Sequence, residues 1–283
     1  MTDISHQVQK KEPQPQRVAL AGLGTVGWTI AQALDRGAIE GCILAAVAVR
    51  DVEKATRELS TLSFPPAIVA SLGALEAHAD LVVECAPAHH LRSIVEPFLE
   101  AGKTAIVLSS GALLDNEDLI DLARVNGGQI VVPTGALIGL DAVAAAAEGT
   151  IRSVRMVTRK PVRGLLGAPY LVEHNIEIAD IREARLIFRG TPREAAKGFP
   201  ANLNVAVALS LAGIGADRTV LEIWADPALE RNTHRIEVEA DSASFSMSIE
   251  NVPTDTNPKT GRITALSVIS YLRKLKAPLR VGS

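Results

Sequence analysis

A glycine-rich segment near the start of the chain constrains the fold more than any other feature. Gly22, Gly24 and Gly27 follow an apolar run, and a helical pattern begins after them at Trp28. Thr25 and Val26 lie between the glycines, and the whole turn 22–27 is a candidate for binding a cofactor. A strand, a Gly-x-Gly-x-x-Gly turn and a helix in this order are typical of a dinucleotide-binding unit. The glycines allow a tight turn and a close approach of the pyrophosphate, which the helix N-terminus attracts. The alternative interpretation is a turn that merely connects the two elements.

Strand-like and helical runs alternate over the first half of the chain. Strands are predicted at 43–49, 81–85, 105–108 and 129–132, and helices at 52–59, 91–101 and 116–126. This alternation predicts an α/β fold, with a Rossmann-type doubly wound parallel sheet that helices cover on both faces.

The pattern changes after residue 132. Strand-like segments at 154–158, 186–188, 220–224, 234–240 and 245–249 alternate apolar and polar residues, which predicts a mostly antiparallel sheet in a second, α+β domain. We therefore expect a flexible tail at 1–16, a dinucleotide-binding domain at 17–135 and the α+β domain at 136–255. The segment 256–283 carries an apolar helical stripe, and we expect it to pack back on the first domain.

Composition narrows the range of partners. The 283 residues carry a formal net charge of −3 and only nine aromatic side chains, so neither nucleic acid nor a membrane is expected as a partner. Two cysteines, Cys42 and Cys85, are too few for a disulfide framework or a four-cysteine zinc site, and no metal is expected. Both lie in apolar runs, which is typical of reduced thiols in a cytoplasmic protein.

The end of the second strand bears on the choice of nucleotide. An acidic residue at this position usually holds the ribose 2′-hydroxyl of NAD. Here the strand ends with Arg50, and Asp51 follows one position late. Arg50 could pair with the 2′-phosphate of NADP or be a solvated strand-end charge, so the cofactor is expected to be NAD or NADP.

The carboxyl ends of the later strands are where a substrate is expected. Small residues fill 86–88, 109–112 and 133–136, which leaves room for a nicotinamide ring, and the backbone of Ala136 could contact the ring amide. Residues 151–200 hold ten Lys or Arg against five Asp or Glu, so Arg159 or Lys160 could bind a substrate carboxylate or belong to a solvated basic face. His234 shares a strand face with apolar residues, which favours a core histidine unless further evidence supports catalysis.

Taken together, several segments resemble the L-aspartate dehydrogenase family, over nearly the whole chain from Arg17 onward. They are Gly-Leu-Gly-Thr-Val-Gly at 22–27, Val-Leu-Ser-Ser-Gly-Ala at 107–112, Gly-Ala-Leu-Ile-Gly-Leu-Asp at 135–141, Thr-Arg-Lys-Pro at 158–161, Gly-Phe-Pro-Ala-Asn-Leu-Asn-Val-Ala at 198–206, Asp-Pro at 226–227 with Asn-Thr-His at 232–234, and Asn-Pro-Lys-Thr-Gly-Arg-Ile-Thr-Ala-Leu at 257–266. The Phe-Pro-Ala-Asn-Leu-Asn and Asn-Pro-Lys-Thr-Gly segments are the most particular.

The resemblance implies a Rossmann domain joined to an α+β domain that carries catalysis and dimerisation, in a homodimer. It implies the NAD- or NADP-dependent interconversion of L-aspartate with iminoaspartate, and then with oxaloacetate and ammonia, which can feed quinolinate and NAD synthesis. By position, His234 is the family's catalytic histidine, and Ala136 and Asn204 are its cofactor contacts. With a pKa near neutral, His234 is expected to act as a general base. A dehydrogenase of another amino acid or imine, and a silent dinucleotide sensor, remain the alternatives.

Overall fold

The computed structural model describes residues 14–200, 203–254 and 260–282. Most of the predicted tail, residues 1–13, lies outside the described residues, and Gln16 already belongs to the first strand. Parts of two family-like segments, at 201–202 and 257–259, also lie outside them.

The first half of the chain forms a six-stranded parallel sheet with the strand order β3-β2-β1-β4-β5-β6. Its strands and the helices between them are β1 (Gln16–Ala21), α1 (Thr25–Asp35), β2 (Cys42–Ala48), α2 (Val52–Leu59), β3 (Ala67–Val69), β4 (Leu81–Glu84), α3 (Leu91–Glu100), β5 (Thr104–Val107), α4 (Asp118–Asn126) and β6 (Gln129–Val131). Short 3₁₀ turns, including one at Ser110–Asp115, complete the connections. The predicted doubly wound parallel sheet is confirmed, and the short edge strand β3 is an addition to it.

The second half forms a five-stranded sheet with the order β11-β10-β7-β9-β8. Its elements are α5 (Leu140–Ala147), β7 (Ile151–Lys160), α6 (Pro169–Glu173), β8 (Arg185–Gly190), α7 (Pro192–Gly198), α8 (Asn204–Ala212), β9 (Val220–Ala225), β10 (Thr233–Ala240) and β11 (Ser244–Glu250), and α9 (Arg262–Lys276) follows. Among the described residues, three of the four strand pairings of this sheet are antiparallel, and β7 and β9 run in parallel. The predicted mostly antiparallel sheet is confirmed.

One face of the second sheet is buried and the other is polar. Met156 and Ile236 belong to the core that the sheet forms with helices such as α8. On the opposite face, Arg155 forms ion pairs with Glu222 and Glu237, at 3.0 Å and 2.9 Å. The strict alternation along β7 and β10 decides which side chains face the core and which face solvent.

The last helix, α9, packs against the first sheet. Its buried residues Val268, Ile269 and Leu272 share a core with α1, β1 and β2. The apolar stripe in the sequence therefore has a partner surface, as expected. Within the described residues, no helix is both long enough and apolar enough to cross a membrane.

Candidate active site

A cavity of about 260 Å³ lies between the two sheets. The ends of β4, β5 and β6 supply one wall, which includes Ala86, Ser109 and Pro133. The second sheet supplies Lys160 and His234 to the opposite wall. In open α/β sheets ligands bind outside the carboxyl ends of the strands, and this cavity occupies that position.

The glycine turn has the shape that a dinucleotide requires. Gly22 has φ +102°, and a Cβ there would lie 2.7 Å from the carbonyl oxygen of Cys85. A Cβ on Gly27 would lie 2.3 Å from the Gly22 carbonyl oxygen, whereas one on Gly24 would meet no protein atom within 4 Å. Gly22 and Gly27 are therefore needed by the fold itself, while Gly24 keeps open a space that a ligand can occupy.

The N-terminus of α1 faces the same space. Gly24 is its N-cap residue, and no side chain caps the helix or places an acidic group in its first turn. The helix begins with Thr25 and Val26, and Val26 also lines the cavity. Main-chain N–H groups at a helix start attract an anion, so this turn fits a pyrophosphate without needing a basic side chain.

Ala136 lies on the crossover from the first sheet to the second. Its carbonyl oxygen accepts a hydrogen bond of 3.0 Å from Nδ2 of Asn251, and the neighbouring Gly135 N–H donates to Oγ of Ser267 at 3.2 Å. Asn251 also donates its own main-chain N–H to the carbonyl of Asn232 at 2.9 Å. The buried Oδ1 of Asn251 has no hydrogen-bond partner among the described residues. These contacts fix the backbone that the sequence predicts beside the nicotinamide.

Asn204 is the first residue of α8 and lines the cavity from the second domain. Its side-chain Oδ1 accepts a hydrogen bond of 3.0 Å from the N–H of Gly111, and its carbonyl oxygen accepts one of 2.7 Å from Oγ of Ser110. Both donors lie in the turn after β5. Asn204 therefore joins the two domains at the cavity.

His234 is held by the residue opposite it in the neighbouring strand. Strand register pairs His234 in β10 with Thr158 in β7, and Nδ1 lies 3.1 Å from Thr158 Oγ1. This contact engages Nδ1, so Nε2 is the ring nitrogen available to a bound molecule. His234 is only 3 % exposed and shares its face with Ile236 and Val238, as the alternation predicts.

Lys160 lies two residues beyond Thr158 on the same face and is 4 % exposed. Burial lowers the pKa of Lys160 to about 8, because the charged ammonium loses its hydration. Burial and the nearby Lys160 charge together lower the pKa of His234 to about 3. The expectation of a near-neutral pKa for His234 is therefore wrong. The alternation of the strand indicates burial of His234, but the sequence does not show that Lys160 lies near it.

Two other predicted residues lie away from the cavity. Arg159 has the opposite orientation to Lys160, because side chains alternate along β7. It lies over the ring of Trp224 at 5.2 Å and contacts Asp226 at 3.5 Å. Arg50 is exposed beyond the end of β2, and the carboxylate of Asp51 accepts a hydrogen bond from Lys54 N–H as the N-cap of α2. Asp51 therefore has a structural task of its own.

One cavity residue was missed by the sequence analysis. Glu84, the last residue of β4, is completely buried, and the apolar residues before it suggested only a core strand. A charged residue at the carboxyl end of a buried parallel strand is the signal that could have identified it. Burial raises the pKa of Glu84, and hydrogen bonds from Ser109 and Leu108 oppose that rise.

A glycine turn shaped for a dinucleotide on one side of the cavity and buried titratable side chains on the other indicate the class of protein. The glycine turn fits a dinucleotide, and a neutral imidazole beside a buried ammonium suits an anionic substrate that exchanges a proton. This is an NAD(P)-dependent dehydrogenase.

Sequence comparisons identify the family. Residues 141–275 match the family described as aspartate dehydrogenase, C-terminal, and residues 22–133 match the NAD-binding domain of homoserine dehydrogenase. An L-aspartate dehydrogenase of Bradyrhizobium diazoefficiens is 64% identical over 94% of each chain. L-aspartate dehydrogenase 3 of Bordetella bronchiseptica is 57% identical over 94% of this chain and 97% of its own. The chain belongs to the L-aspartate dehydrogenase family.

Solved structures share the fold at lower identity. A crystal structure of aspartate dehydrogenase from Thermotoga maritima has a TM-score of 0.71, with 22% identity over 94% of this chain and 99% of that chain. A homoserine dehydrogenase from Thiobacillus denitrificans has a TM-score of 0.58, with 14% identity over 94% of this chain and 75% of that one. The two-domain arrangement therefore recurs in dehydrogenases of distant sequence.

Proposed function

We propose that this protein interconverts L-aspartate with oxaloacetate and ammonia, through iminoaspartate, with NAD or NADP. The observation that carries the proposal is the burial of His234 and Lys160 side by side on the cavity wall that faces the glycine turn. Family membership supplies the substrate. When bound, the nicotinamide cofactor accepts a hydride in the oxidative direction and donates one in the reverse direction.

The residues that hold the cofactor come from both domains. The turn from Gly22 to Gly27 binds the pyrophosphate through main-chain N–H groups, and Gly24 leaves the necessary space. Ala136 and Asn204 bind the nicotinamide end from the crossover and from α8. Because Asn251 and the turn after β5 already hold these two residues, little ordering is needed when the cofactor binds.

Lys160 anchors a carboxylate of the substrate. A buried ammonium is a costly group, and a bound carboxylate offsets that cost by pairing with it. A second cavity of about 170 Å³ adjoins the first and shares Lys160 and Asn232 with it. This second cavity adds Arg163 and Arg231, so a substrate with two carboxylates has basic groups for both.

His234 acts as the general base through Nε2. In the oxidative direction it takes a proton from the substrate ammonium and releases it to solvent. It later takes a proton from the water that attacks the imine carbon and returns it to the departing ammonia. The Lys160 charge is one of the causes of the lowered pKa of His234. A substrate carboxylate paired with Lys160 offsets that charge, so the pKa of His234 rises when substrate binds and the base becomes stronger.

The remaining parts of the proposal concern the oligomeric state, the location in the cell and the preference between NAD and NADP. We infer a homodimer, which the family resemblance supports. A cytoplasmic location is supported by Cys42 and Cys85, which are both free thiols. A contact of Arg50 with the 2′-phosphate of NADP is supported by its exposure beyond the end of β2 and by the role of Asp51 as the N-cap of α2.

The test is the consumption of NADH and NADPH, followed by their near-ultraviolet absorbance, with purified protein, oxaloacetate and ammonium. Consumption that requires both oxaloacetate and ammonium supports the proposal, and the faster cofactor indicates the effect of Arg50. Arg50→Ala is the matched variant, and it should reduce the preference for NADPH. NADPH binding without consumption would contradict the proposal. Homoserine and cyclic imines should then be tested, and a sensor becomes the better interpretation if none reacts.

A further inference from the structure

The carboxylate of Glu84 is the most heavily buried charged group at the cavity, at 0 % exposure among the described residues. It accepts hydrogen bonds from the N–H of Leu108 at 3.1 Å, and from the N–H and Oγ of Ser109 at 2.8 Å and 3.1 Å. All these donors belong to the segment directly after β5. The Glu84 carboxylate in β4 therefore holds the loop that follows the neighbouring strand, β5.

This loop continues into the contacts with Asn204. Ser110, which is 1 % exposed, donates its Oγ–H to the Asn204 carbonyl, and the next residue, Gly111, donates its N–H to Asn204 Oδ1. A Cβ on Gly111 would lie 3.1 Å from that Oδ1, so the approach is close. The loop at 108–111 is thus held by Glu84 at its start, through Leu108 and Ser109, and bonded to Asn204 at its end, through Ser110 and Gly111.

The set of contacts determines which atoms Asn204 presents to the cavity. Oδ1 of the side chain is already an acceptor for Gly111, so the amide group is oriented and Nδ2 is the donor left to contact a ligand. Asn204 lines the cavity from α8 in the second domain, whereas the glycine turn belongs to the first domain. Its amide is thus available to the end of the cofactor that lies beyond the pyrophosphate.

Packing alone does not account for a glutamate at this place. Burying a carboxylate is unfavourable even when hydrogen bonds compensate it, and an apolar side chain would fill a buried strand end at lower cost. The neighbouring residues Leu81, Val82 and Val83 in β4 are apolar and buried. A glutamate after these apolar residues therefore indicates that the cavity requires the carboxylate of Glu84.

We propose that Glu84 is a positioning residue for the nicotinamide half of the cofactor, acting through the loop 108–111 on the amide of Asn204. The inference rests on the cofactor site of the proposed function and adds a residue that does not itself contact the cofactor. The adenosine and pyrophosphate half is held by the glycine turn, which this set of hydrogen bonds does not reach.

The experiment compares two ligands in direct binding measurements on the full chain. NADPH spans the whole site, whereas ADP-ribose has the pyrophosphate but no nicotinamide. We expect Glu84→Ala to weaken NADPH binding at least tenfold and to change ADP-ribose binding less than twofold. Glu84→Gln, which keeps an acceptor for the two N–H groups and the shape of the side chain, should recover NADPH binding to within about threefold.

Ser110→Ala tests the other end of the same set of contacts, and it serves if Glu84→Ala does not fold. It removes the hydroxyl that holds the Asn204 carbonyl and should also weaken NADPH binding selectively. The proposal is overturned if both alanine variants bind NADPH as tightly as the unmodified protein. It is also overturned if NADPH and ADP-ribose affinities fall together, or if Glu84→Gln is as defective as Glu84→Ala. Neither ligand depends on aspartate turnover, so failure of the proposed reaction would be recognised separately.

Discussion

The two walls of the cavity are built on opposite principles. The nucleotide wall, meaning the ends of β4, β5 and β6 together with the glycine turn beside them, depends at that turn on side chains that are absent. Gly22 and Gly27 let elements approach closely, and Gly24 leaves its backbone open to a ligand. The substrate wall depends on polar side chains held where water is excluded, with Lys160 and His234 at 4 % and 3 % exposure. The glycine turn is consistent with a well-packed fold, whereas the substrate wall carries groups that the fold would be more stable without.

This difference separates binding from chemistry. A main-chain cradle binds an anion with dipoles that the helix already provides, so it needs no strained or charged residue. Proton transfer and carboxylate recognition need titratable groups, and their placement in a dry site changes their pKa values. Variants of the two walls should therefore differ in whether they affect stability, binding or turnover.

The largest effect is expected from His234→Ala. Removing the general base should lower the turnover number by about 10²- to 10⁴-fold. NADPH affinity should remain nearly unchanged, because the residue lies on the substrate wall. Steady-state rates and NADPH titration are the measurements. Thr158→Val, which removes the contact to Nδ1, is the milder control, and unchanged turnover in His234→Ala would remove this residue from the mechanism.

The glycines offer a matched pair on the nucleotide wall. Gly24→Ala adds a methyl group to open space and should leave the melting temperature unchanged while weakening NADPH binding by about tenfold or more. Gly27→Ala forces a Cβ against the Gly22 carbonyl and should lower the free energy of unfolding by about 1–3 kcal/mol or more. Equal stability losses in both variants would contradict the assignment of Gly24 to the ligand.

Lys160→Met tests the stability cost of the substrate wall. The pKa of Lys160 falls from 10.5 to about 8, so below pH 8 the buried charge destabilises the fold by up to about 3 kcal/mol. Urea unfolding at pH 7 should show a gain in stability of that order. The KM for aspartate should rise in the same variant. A loss of stability would mean that the contacts of the ammonium outweigh its desolvation.

A smaller effect should appear in the pH dependence of stability. The pKa of His234 is lowered from 6.5 to about 3, so between these values the unfolded chain takes up a proton that the folded chain excludes. Stability contributed by the neutral imidazole is present above pH 6.5 and is lost as the pH falls. Between pH 6.5 and 4.5 this loss amounts to about 2.5 kcal/mol. In urea unfolding, the His234→Asn variant should not show this loss of stability between pH 6.5 and 4.5. If its stability falls with pH in parallel with that of the unmodified protein, the prediction is wrong.

The fold could be predicted well because its signals are local. The glycine turn and the apolar strands each depend on residues close in sequence, and the structure contains both. Likewise, the alternation of residues 234–240 predicts that His234 lies on the apolar face, and in β10 it shares that face with Ile236 and Val238.

The chemistry of the site was less predictable, because it depends on contacts between distant segments. The pair formed by Thr158 and His234 spans 76 residues, and the register of two strands decides it. Alternation also separates Arg159 from Lys160, yet the sequence does not say which face of β7 meets the cavity. The role of Glu84 could not be predicted from its own strand, because the loop that its carboxylate holds lies in the next βα unit.

The final helix has a consequence for how the protein is made. Strand β1 and helix α1 are synthesised long before α9, yet the apolar side of α1 is covered by Val268, Ile269 and Leu272 of α9. During synthesis this apolar surface of the nucleotide half therefore stays exposed until the more than 200 residues between α1 and α9 have emerged. A nascent chain that stops before α9 has a complete glycine turn, but the apolar surface of its nucleotide-binding domain stays exposed. We therefore expect chaperones to bind such a chain.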